Sequence, residues 1–369
     1  MKIMILANAD SIHTRKWVIS LCDRGVDIVL FSLNRINTEF YGGLKGFKGY
    51  SFGRSGDLSK IDNKTKKLSY LTAVSRIKKI ISNEKPDILH AHYASSYGLL
   101  GALCKFHPYV ISVWGSDVFD FPRSSALAKR LLKYSLSKAD RILSTSHAMA
   151  EETKKYCKKS VIVTPFGIDS DIFFKKKMKT LFQENDVVVG TIKTLEKVYG
   201  IEYLIEAFAL VADKLTDLSL KLLIVGSGSC EHELKNRVRE LGIEDRVLFT
   251  GQVDHSLIPE YYNNIDIFVV SSLRESFGVA VLEASACEVP VIVTETGGLP
   301  EVVEKNVTGF VVPVMNSEEI ARAIETLALD EKLRTEMGVK GRKRVEEFYN
   351  WNNNVQLMIT IYDDIISKK

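Results

Sequence analysis

Short apolar runs alternate with helix-like stretches along all 369 residues of this chain, and this alternation limits the folds that it can adopt. Such alternation is typical of parallel β-sheets covered by helices on both faces. The sequence therefore predicts an α/β protein with two doubly wound, Rossmann-like sheets. The predicted strands are Ile3–Ala7, Asp27–Ser32, Asp87–His92, Tyr109–Trp114, Arg141–Ser146, Val161–Thr164, Val187–Ile192, Leu220–Val225, Val247–Gly251, Asp266–Ser271, Pro290–Thr294 and Phe310–Val312.

Helices are predicted between these strands. The clearest runs from Ile201 to Leu215, because its apolar side chains recur at helical spacing along one face. The other predicted helices are Thr14–Asp23, Leu68–Ser82, Arg123–Ser137, Glu233–Leu241, Val279–Cys287 and Val355–Ile366.

A domain boundary is predicted where Pro165 and Gly167 interrupt the pattern. The length of the chain also favours two domains. We expect one domain over residues 1–167 and a second over residues 168–350. Because sheets of this type bind ligands at the carboxyl ends of their strands, the two domains are expected to face a central cleft that holds the ligand.

Composition indicates an ordinary soluble globular protein, with 46% hydrophobic residues and a mean hydropathy of zero. The five cysteines are scattered and never form C-x-x-C spacing, which favours reduced cytoplasmic thiols over disulfides or a zinc site. The first apolar run is too short for a signal peptide, and no run approaches the ~18 apolar residues of a membrane-spanning helix.

Charge is distributed unevenly along the chain. Residues 1–168 carry 27 Lys and Arg against 13 Asp and Glu, whereas the remainder carries 23 against 33. A basic half attracts anionic partners such as lipid headgroups or lipid diphosphates, although a solvated lysine-rich surface explains the charge equally well. Nucleic acid is not expected, because no aromatic residues interleave the clusters. The clusters are Lys64–Lys67, Lys78–Lys79, Lys129–Lys133 and Lys154–Lys159.

Two acidic residues bracket a predicted helix start. Glu275 follows a predicted strand, and Glu283 lies inside a nearly all-apolar helix that begins after Gly278. Burying a carboxylate there is unfavourable without a partner, and the free N–H groups of a helix start can hold phosphate. Two acids around an anion site suit a ligand with hydroxyls at both ends and phosphate between them, as in a nucleotide-sugar.

Two further loops of the second half carry candidate residues. Gly226-Ser-Gly228 follows a strand and could let a phosphate approach the backbone, although a tight turn without a ligand explains it equally well. Lys193 and Lys197 follow another strand, where they could neutralise a departing diphosphate.

In the first half, polar residues gather at predicted strand ends, where substrate contact is expected. Ser11 or Thr14 could instead cap the first helix. His90 and His92 share a strand face, but no nearby ligands complete a metal set. Asp169 and Asp171 suit turn formation better than metal binding. The candidate substrate residues here are His13, His92, Trp114 and Asp117.

With these residues, the chain resembles the retaining nucleotide-sugar glycosyltransferases of the GT-B fold. The family is glycosyltransferase family four, the glycogen-synthase-like group. The resemblance covers nearly the whole chain. Its most specific element is the pair Glu275 and Glu283, eight positions apart. The other matching segments are Gly190–Lys197, Gly226–Gly228, Gly297–Glu301, Phe166–Asp169 and the helix after Trp351.

The resemblance implies roles for individual residues. Glu275 would hold the hydroxyls of the donor sugar and Glu283 the ribose. The backbone N–H groups of Phe277 and Gly278, together with Lys197, would bind the diphosphate. Neighbouring donor contacts are implied at Ser276, Gly226, Gly228, Thr191 and Gly190.

The same resemblance implies catalysis without a metal, in which the departing phosphate takes the proton of the acceptor. It also implies that the last helix, about 351–369, crosses back to the first domain.

Three positions differ from the family pattern. Thr191 stands where the family usually has arginine, and Lys193 is expected to supply that charge. Trp114 stands where many members have histidine. The first loop, Asn8–His13, lacks the usual glycine pair, which leaves His13 as the acceptor-side candidate.

We therefore expect a retaining, metal-independent transferase that needs no cofactor and moves a hexose or N-acetylhexosamine from a UDP-sugar. The acceptor would be a saccharide or a lipid-diphosphate-linked saccharide, in polysaccharide or glycolipid synthesis. The expected location is cytoplasmic, with peripheral contact between the basic domain and the inner face of the membrane. The alternatives are a nucleotide-sugar epimerase of the same fold, a dinucleotide oxidoreductase disfavoured by its broken glycine fingerprint, and a catalytically weak nucleotide-sugar-binding protein.

Overall fold

A computed structural model, which describes residues 1–54, 69–178 and 181–368, shows an α/β chain that divides into two compact units. Unit 1 comprises Met1–Pro165 and Asn354–Lys369, and unit 2 comprises Phe166–Asn353. The sequence places the corresponding boundary between residues 167 and 168. The basic cluster Lys64–Lys67 and the first residue of the helix predicted at Leu68 lie outside the described residues.

Unit 1 contains a sheet of seven parallel strands among its described residues. The strands are β1 (Lys2–Leu6), β2 (Asp27–Asn34), β3 (Phe47–Arg54), β4 (Ile88–His92), β5 (Tyr109–Val113), β6 (Arg141–Ser144) and β7 (Val161–Val163). Their order across the sheet is β3-β2-β1-β4-β5-β6-β7. Strand β1 is central, with Ile5 opposite Leu30 on one side and His90 on the other.

Helices cover this sheet, and some of them begin at residues with a clear capping role. Ser125 accepts a hydrogen bond from the Ala128 N–H at the start of α5, and Ser146 caps α6 through the Met149 N–H. The helices are α1 (Ile12–Asp23), α2 (Ala73–Glu84), α3 (Ser96–Cys104), α4 (Ser116–Phe119), α5 (Ala126–Lys138) and α6 (His147–Lys154).

Strand β3 is missing from the sequence prediction, which was wrong to leave Phe47–Arg54 unassigned. Among the described strands, β3 pairs only with β2, with Phe47 opposite Ile28, and it forms the edge of the sheet. Its two glycines and one lysine interrupt the apolar run that marks the central strands. An edge strand tolerates such residues because only part of it is covered.

Unit 2 repeats the architecture with six parallel strands in the part of it that the structure describes. They are β8 (Val187–Ile192), β9 (Leu220–Val225), β10 (Val247–Gly251), β11 (Ile267–Val270), β12 (Val291–Thr294) and β13 (Gly309–Val312). Their order is β10-β9-β8-β11-β12-β13, so β8 is central, with Gly190 between Leu223 and Phe268. The predicted fold class, with two Rossmann-like sheets, is confirmed.

The core of unit 2 lies between the sheet and its helices. The predicted apolar face of α7 is buried, since Leu204, Ile205 and Phe208 are all fully covered. The helices are α7 (Ile201–Lys214), α8 (Glu231–Glu240), α9 (Ile258–Tyr262), α10 (Val279–Ala286), α11 (Leu299–Val302), α12 (Ser317–Leu329) and α13 (Glu331–Phe348).

The last helix, α14 (Trp351–Ser367), belongs to unit 1 from Asn354 onward. The Asn354 side-chain amide donates to the Pro165 carbonyl over 3.1 Å. Tyr362 is fully buried, and its hydroxyl lies 2.7 Å from Nδ1 of His90 in β4. The helix therefore completes the core of unit 1 on the face of its sheet that carries His90.

Each sheet has a point where the strand order reverses. The chain moves outward from β1 to β3 and then continues on the other side with β4, and it does the same from β8 to β10 and on to β11. Loops at the carboxyl ends of the two central strands on either side of this point form the usual ligand site of such sheets. Among the described helices, none combines the length and apolarity needed to cross a membrane.

Candidate active site

In unit 2, an ion pair joins the two loops at the strand-order reversal. Lys193 follows β8 and Glu275 follows β11, and the Lys193 ammonium lies 2.5 Å from Oε2 of Glu275. Both side chains are largely covered, with exposed fractions of 18% and 12%. The Lys193 ammonium also lies 4.4 Å from the centre of the Tyr199 ring. The sequence placed both charges in this region but did not predict that they pair.

The loop that carries Glu275 rests on two glycines. A side chain at Gly297 would place its Cβ 1.6 Å from the Glu275 carbonyl oxygen, and one at Gly298 would lie 2.6 Å from the Ser276 carbonyl oxygen. The Gly298 N–H donates to that Glu275 carbonyl, and the Ser276 N–H donates to Oε1 of Glu275. Gly297 and Gly298 are therefore needed because backbone packs directly on backbone beneath the carboxylate.

The Gly226-Ser-Gly228 turn packs in a similar way. A Cβ at Gly226 would lie 2.0 Å from the Lys193 carbonyl oxygen, and one at Gly228 would lie 2.3 Å from that of Leu195. These glycines thus bring the turn against the loop that carries Lys193. Ser229 donates its N–H and hydroxyl to Glu196, and the hydroxyl hydrogen bond lowers the pKa of that carboxyl.

Helix α10 begins beside Glu275 without a side-chain cap. Gly278 occupies the N-cap position with φ of 108° and makes no side-chain capping bond. The ring of Phe277 is buried against Phe166 and Tyr349. Phe277 therefore offers its backbone N–H, and not its ring, to a ligand at the start of α10. Uncapped N–H groups at a helix start favour a bound anion.

Glu283 lies in α10 as predicted and has the partner that its apolar surroundings require. The hydroxyl of Tyr262, at the end of α9, donates to Oε2 of Glu283 over 2.9 Å. Tyr262 has no exposed surface, and burial, followed by the charge of Glu283, raises the pKa of its phenol far above the usual value. The phenol therefore stays protonated and remains a donor to the carboxylate.

The remaining donor-site candidates have different surroundings. Gly190 lies on β8 against Ile265, and Thr191 beside it is 3% exposed. Lys197 is exposed at the start of a short 3-10 turn, Lys197–Tyr199. Lys193 rather than Lys197 is the lysine that lies against Glu275.

In unit 1, three of the four predicted acceptor-side residues meet around one indole ring. The Trp114 ring lies 4.4 Å from that of His92 and 6.0 Å from that of His13, measured between centroids. Tyr93 completes the cluster at 5.5 Å and has φ of 73°, a left-handed conformation rare for a tyrosine. Residues held in such conformations occur often at functional sites. We call these four residues the Trp114 cluster.

Asp117 holds the two loops that carry this cluster. Its carboxylate accepts hydrogen bonds from the backbone N–H groups of Trp114, Gly115 and Ala94, at 3.2, 2.9 and 2.8 Å. The side chain is 1% exposed, and burial raises its pKa against the opposing effect of these donors. Its observed contacts fix the loops after β4 and β5, so direct contact with an acceptor stays a prediction.

The two histidines of β4 are buried and neutral. Burial lowers the pKa of His90 to about 3 and that of His92 well below its usual value. The ring nitrogens of His90 lie 2.7 Å from the Tyr362 hydroxyl and 2.8 Å from that of Ser112, which leaves no nitrogen for a metal. Nδ1 of His92 is buried and has no hydrogen-bond partner among the described residues.

The alternatives for other polar residues are also decided by geometry. Ser11 occupies the N-cap position of α1 but makes no side-chain capping bond, and Thr14 lies inside the helix, so neither caps it. Asp169 accepts the Asp171 N–H, as expected for turn formation. Across residues 1–54, 69–178 and 181–368, no three His, Cys, Asp or Glu side chains group in a way that could hold a metal ion.

Two tyrosines of the site were not identified from the sequence. Tyr199 and Tyr262 contact Lys193 and Glu283, yet neither lies in a motif. Tyr262 ends a helix of five residues, which is too short to produce a periodic pattern. A search for aromatic residues near the predicted loops would have found Tyr199, two positions after Lys197.

Comparison with known proteins identifies the class that this fold and site define. Residues 173–344 match the family described as glycosyl transferases group 1, and residues 2–146 match glycosyl transferase 4-like. The N-acetyl-alpha-D-glucosaminyl L-malate synthase of Bacillus anthracis is 30% identical over 308 residues, which cover 80% of this chain and 79% of that protein. This chain therefore belongs to the group 1 glycosyltransferases, which use nucleotide-sugars.

Solved structures show the same fold. Sucrose-phosphate synthase from Thermosynechococcus elongatus is similar with a TM-score of 0.84 at 20% identity, and the match covers 100% of both chains. Anabaena HepE, solved in complex with UDP, has a TM-score of 0.80 at 18% identity and covers 99% of this chain and 100% of its own. The two Rossmann-like units are thus those of the GT-B fold.

Proposed function

We propose that this glycosyltransferase moves a hexose or an N-acetylhexosamine from a UDP-sugar, with retention of configuration at the anomeric carbon. The observation that carries the proposal is the covered pair of Lys193 and Glu275 beside the uncapped start of α10. This arrangement offers a carboxylate for sugar hydroxyls next to positive groups for a diphosphate. The name of the B. anthracis relative, which refers to an N-acetyl-α-D-glucosaminyl product, supports the choice of sugar.

In the proposed reaction, the bond between the anomeric carbon and the diphosphate oxygen breaks. The acceptor oxygen bonds to the same face of that carbon, and its proton passes to the departing phosphate. Negative charge grows on the diphosphate during this step, and fixed N–H groups and an ammonium stabilise such charge more in the transition state than before it. The N–H groups of Phe277 and Gly278 and the ammonium groups of Lys193 and Lys197 are the groups assigned to this role. No metal or cofactor enters the proposed step.

Glu275 and Glu283 would orient the two ends of the donor. Glu275 accepts hydrogen bonds from sugar hydroxyls, and Glu283, held by Tyr262, accepts from the ribose. Hydrogen bonds to charged acceptors are stronger than neutral ones, so each carboxylate adds both affinity and orientation. Unit 2 is therefore the proposed donor-binding unit.

Unit 1 would bind the acceptor, for which we propose a saccharide or a lipid-diphosphate-linked saccharide. The Trp114 cluster lies at the carboxyl ends of β4 and β5, where sheets of this type bind ligands, and this position supports an acceptor site there. A basic helix supports an anionic acceptor and peripheral contact with the inner face of a membrane. We define the α5 surface as the exposed residues Leu127, Lys129, Arg130, Lys133 and Lys138, and this helix contains no acidic residue.

The test is an assay of purified protein with a panel of nucleotide-sugars and saccharide acceptors. Transfer with a UDP-hexose or UDP-N-acetylhexosamine, and a product whose anomeric configuration matches the donor, is the expected result. Glu275→Ala should abolish transfer while the protein stays folded and still binds UDP. An inverted product, or unchanged turnover in the Glu275 variant, would contradict the proposal. Conversion of the donor to another sugar without an acceptor would instead identify an epimerase.

A further inference from the structure

The ammonium of Lys193 has two close partners. The Glu275 carboxylate lies 2.5 Å away, and the Tyr199 ring centre lies 4.4 Å away. An ammonium has three N–H groups, of which this carboxylate oxygen uses one. A cation is attracted to the face of an aromatic ring, and this attraction increases when water is excluded. Tyr199, Lys193 and Glu275 therefore form a group, which we call the Lys193 group, in which one cation contacts both a π face and an anion.

Backbone contacts hold the loops of the Lys193 group together. The Ser271 hydroxyl donates to the Tyr199 carbonyl over 3.2 Å, and the Leu273 N–H donates to the Val198 carbonyl over 2.9 Å. A Cβ at Gly200 would lie 2.4 Å from the Ser271 carbonyl oxygen, so the two loops touch there. The loop that carries the ring is thus attached to the loop that leads to Glu275, and both belong to unit 2.

A free lysine side chain has many rotamers and would lose entropy on binding a phosphate. The Tyr199 ring restricts Lys193 before any ligand arrives, so less entropy is lost when the ligand binds. Thr191 supplies no charge on β8, which makes the position of this one ammonium more important. The exposed Lys197 has no comparable contact among the described residues.

We propose that Tyr199 is a positioning residue that holds the Lys193 ammonium between the Glu275 carboxylate and the donor diphosphate. The proposal rests on the proposed function of this site and adds a residue that acts through another. In the ligand-free protein the ammonium neutralises Glu275. When the donor binds, the same ammonium contacts the diphosphate from its place on the ring, so that diphosphate and sugar are bound by one connected group.

The experiment measures UDP affinity by calorimetry and transfer kinetics for Tyr199→Phe and Tyr199→Leu. Leucine keeps the apolar packing but removes the π face, and it should weaken UDP binding roughly 2- to 5-fold. Phenylalanine keeps the ring and should restore wild-type affinity. In a Lys193→Met background, Tyr199→Leu should cause no further loss, because it acts through the ammonium. The rise in KM should exceed the fall in kcat.

A matched control comes from the same unit. Lys235 also lies over an aromatic ring, 5.5 Å from the centre of Phe249, and it pairs with Glu231 at 2.7 Å. Lys235→Met removes the same kinds of interaction at a residue to which no donor contact is assigned, and it should leave UDP affinity unchanged. If Lys235→Met lost as much UDP affinity as Lys193→Met, the loss would be a general effect of removing charge, and the proposal would be overturned.

Three other outcomes would overturn the role of Tyr199 without refuting the proposed function. Equal losses in the phenylalanine and leucine variants would show that the ring face is not what matters. Additive losses with Lys193→Met would show that Tyr199 does not act through Lys193. If the wild type neither binds UDP nor transfers sugar, the proposed function itself is wrong, whereas an active wild type with an unaffected Tyr199→Leu variant refutes this inference alone.

Discussion

Tyr262 donates a hydrogen bond that stabilises the carboxylate of Glu283 in an apolar helix. The two side chains lie 2.9 Å apart, and the tyrosine is completely buried. Tyr262→Phe removes the donor and leaves the carboxylate without it, which should lower the free energy of unfolding by about 1–3 kcal/mol. It should also weaken UDP binding by roughly tenfold, because a charged hydrogen bond orients Glu283.

The measurement compares UDP with 2′-deoxy-UDP. If Glu283 binds the ribose, the wild type prefers UDP, and the preference shrinks in both Tyr262→Phe and Glu283→Gln. Tyr261→Phe, at the neighbouring tyrosine, is the control and should leave the preference intact. An unchanged preference in Glu283→Gln would remove the ribose from the role assigned to this residue.

Gly297 is the second position with a direct effect on the site. Alanine there would place its Cβ 1.6 Å from the Glu275 carbonyl oxygen, and φ is 52°. We expect Gly297→Ala to displace the Glu275 loop, abolish transfer and lower stability by more than about 2 kcal/mol.

Gly242→Ala is the matched control, since its φ is 66° but the space for a Cβ is open. It should lower stability by about 1 kcal/mol through backbone strain alone and leave transfer unchanged. Transfer assays of the two variants check the expected effect on activity, and urea denaturation checks the expected effect on stability. Equal behaviour of the two would show that the contact with Glu275 is not important.

The buried histidines predict a loss of stability in acid. The pKa of His90 falls from 6.5 to about 3 on folding, and that of His92 falls in the same direction. Below pH 6.5 the unfolded chain therefore binds more protons than the folded chain. The stability that comes from keeping these histidines neutral is fully present above that pH and is lost as the pH falls. The free energy of unfolding should drop by about 1.4 kcal/mol per pH unit for each histidine.

Urea denaturation between pH 7 and pH 5 measures this slope. His92→Phe can still pack against Trp114 and should reduce the slope by the share of one histidine. His232→Gln, at an exposed position, is the control and should keep the wild-type slope, because it leaves the two buried histidines unchanged. A wild-type stability that is constant from pH 7 to pH 5 would contradict the prediction.

The α5 surface predicts binding to anionic membranes. Each basic residue near such a surface contributes about 1 kcal/mol, so replacing Lys129, Arg130 and Lys133 with glutamine should weaken binding to anionic vesicles by about 100-fold. Co-sedimentation with vesicles at low and physiological salt is the measurement. Replacing three basic residues of unit 2, Lys214, Arg322 and Lys332, makes the same charge change and should have little effect. Equal losses in the two triple variants would assign the binding to net charge alone.

The regular strands and long helices could be predicted because their side chains have strong periodic patterns. The strands of unit 2 and the buried face of α7 follow directly from such patterns. Strand β3 could not be predicted in this way, since its glycines and lysine occupy an edge where burial is incomplete. Short helices such as α9 are likewise below the length at which a period is visible.

The candidate site was predictable where a single residue type has a clear chemical reason to be present. Glu275 and Glu283 are such residues, because a carboxylate beside a helix start or in an apolar helix needs an explanation. Their partners were not predictable, since the pairing of Lys193 with Glu275 joins residues 82 positions apart. The roles of Tyr199 and Tyr262 depend on three-dimensional contacts that leave no local pattern.

The glycines of unit 2 fix the spacing between the loops after β8, β9, β11 and β12. Because Gly226, Gly228, Gly297 and Gly298 have no room for a side chain, any residue inserted into one of these loops would push its neighbours apart. Relatives that accept a different sugar would therefore differ by exchanging side chains on loops of constant length. If unit 2 binds the donor as proposed, its loop backbones would stay constant and only the side chains that line the proposed site would vary.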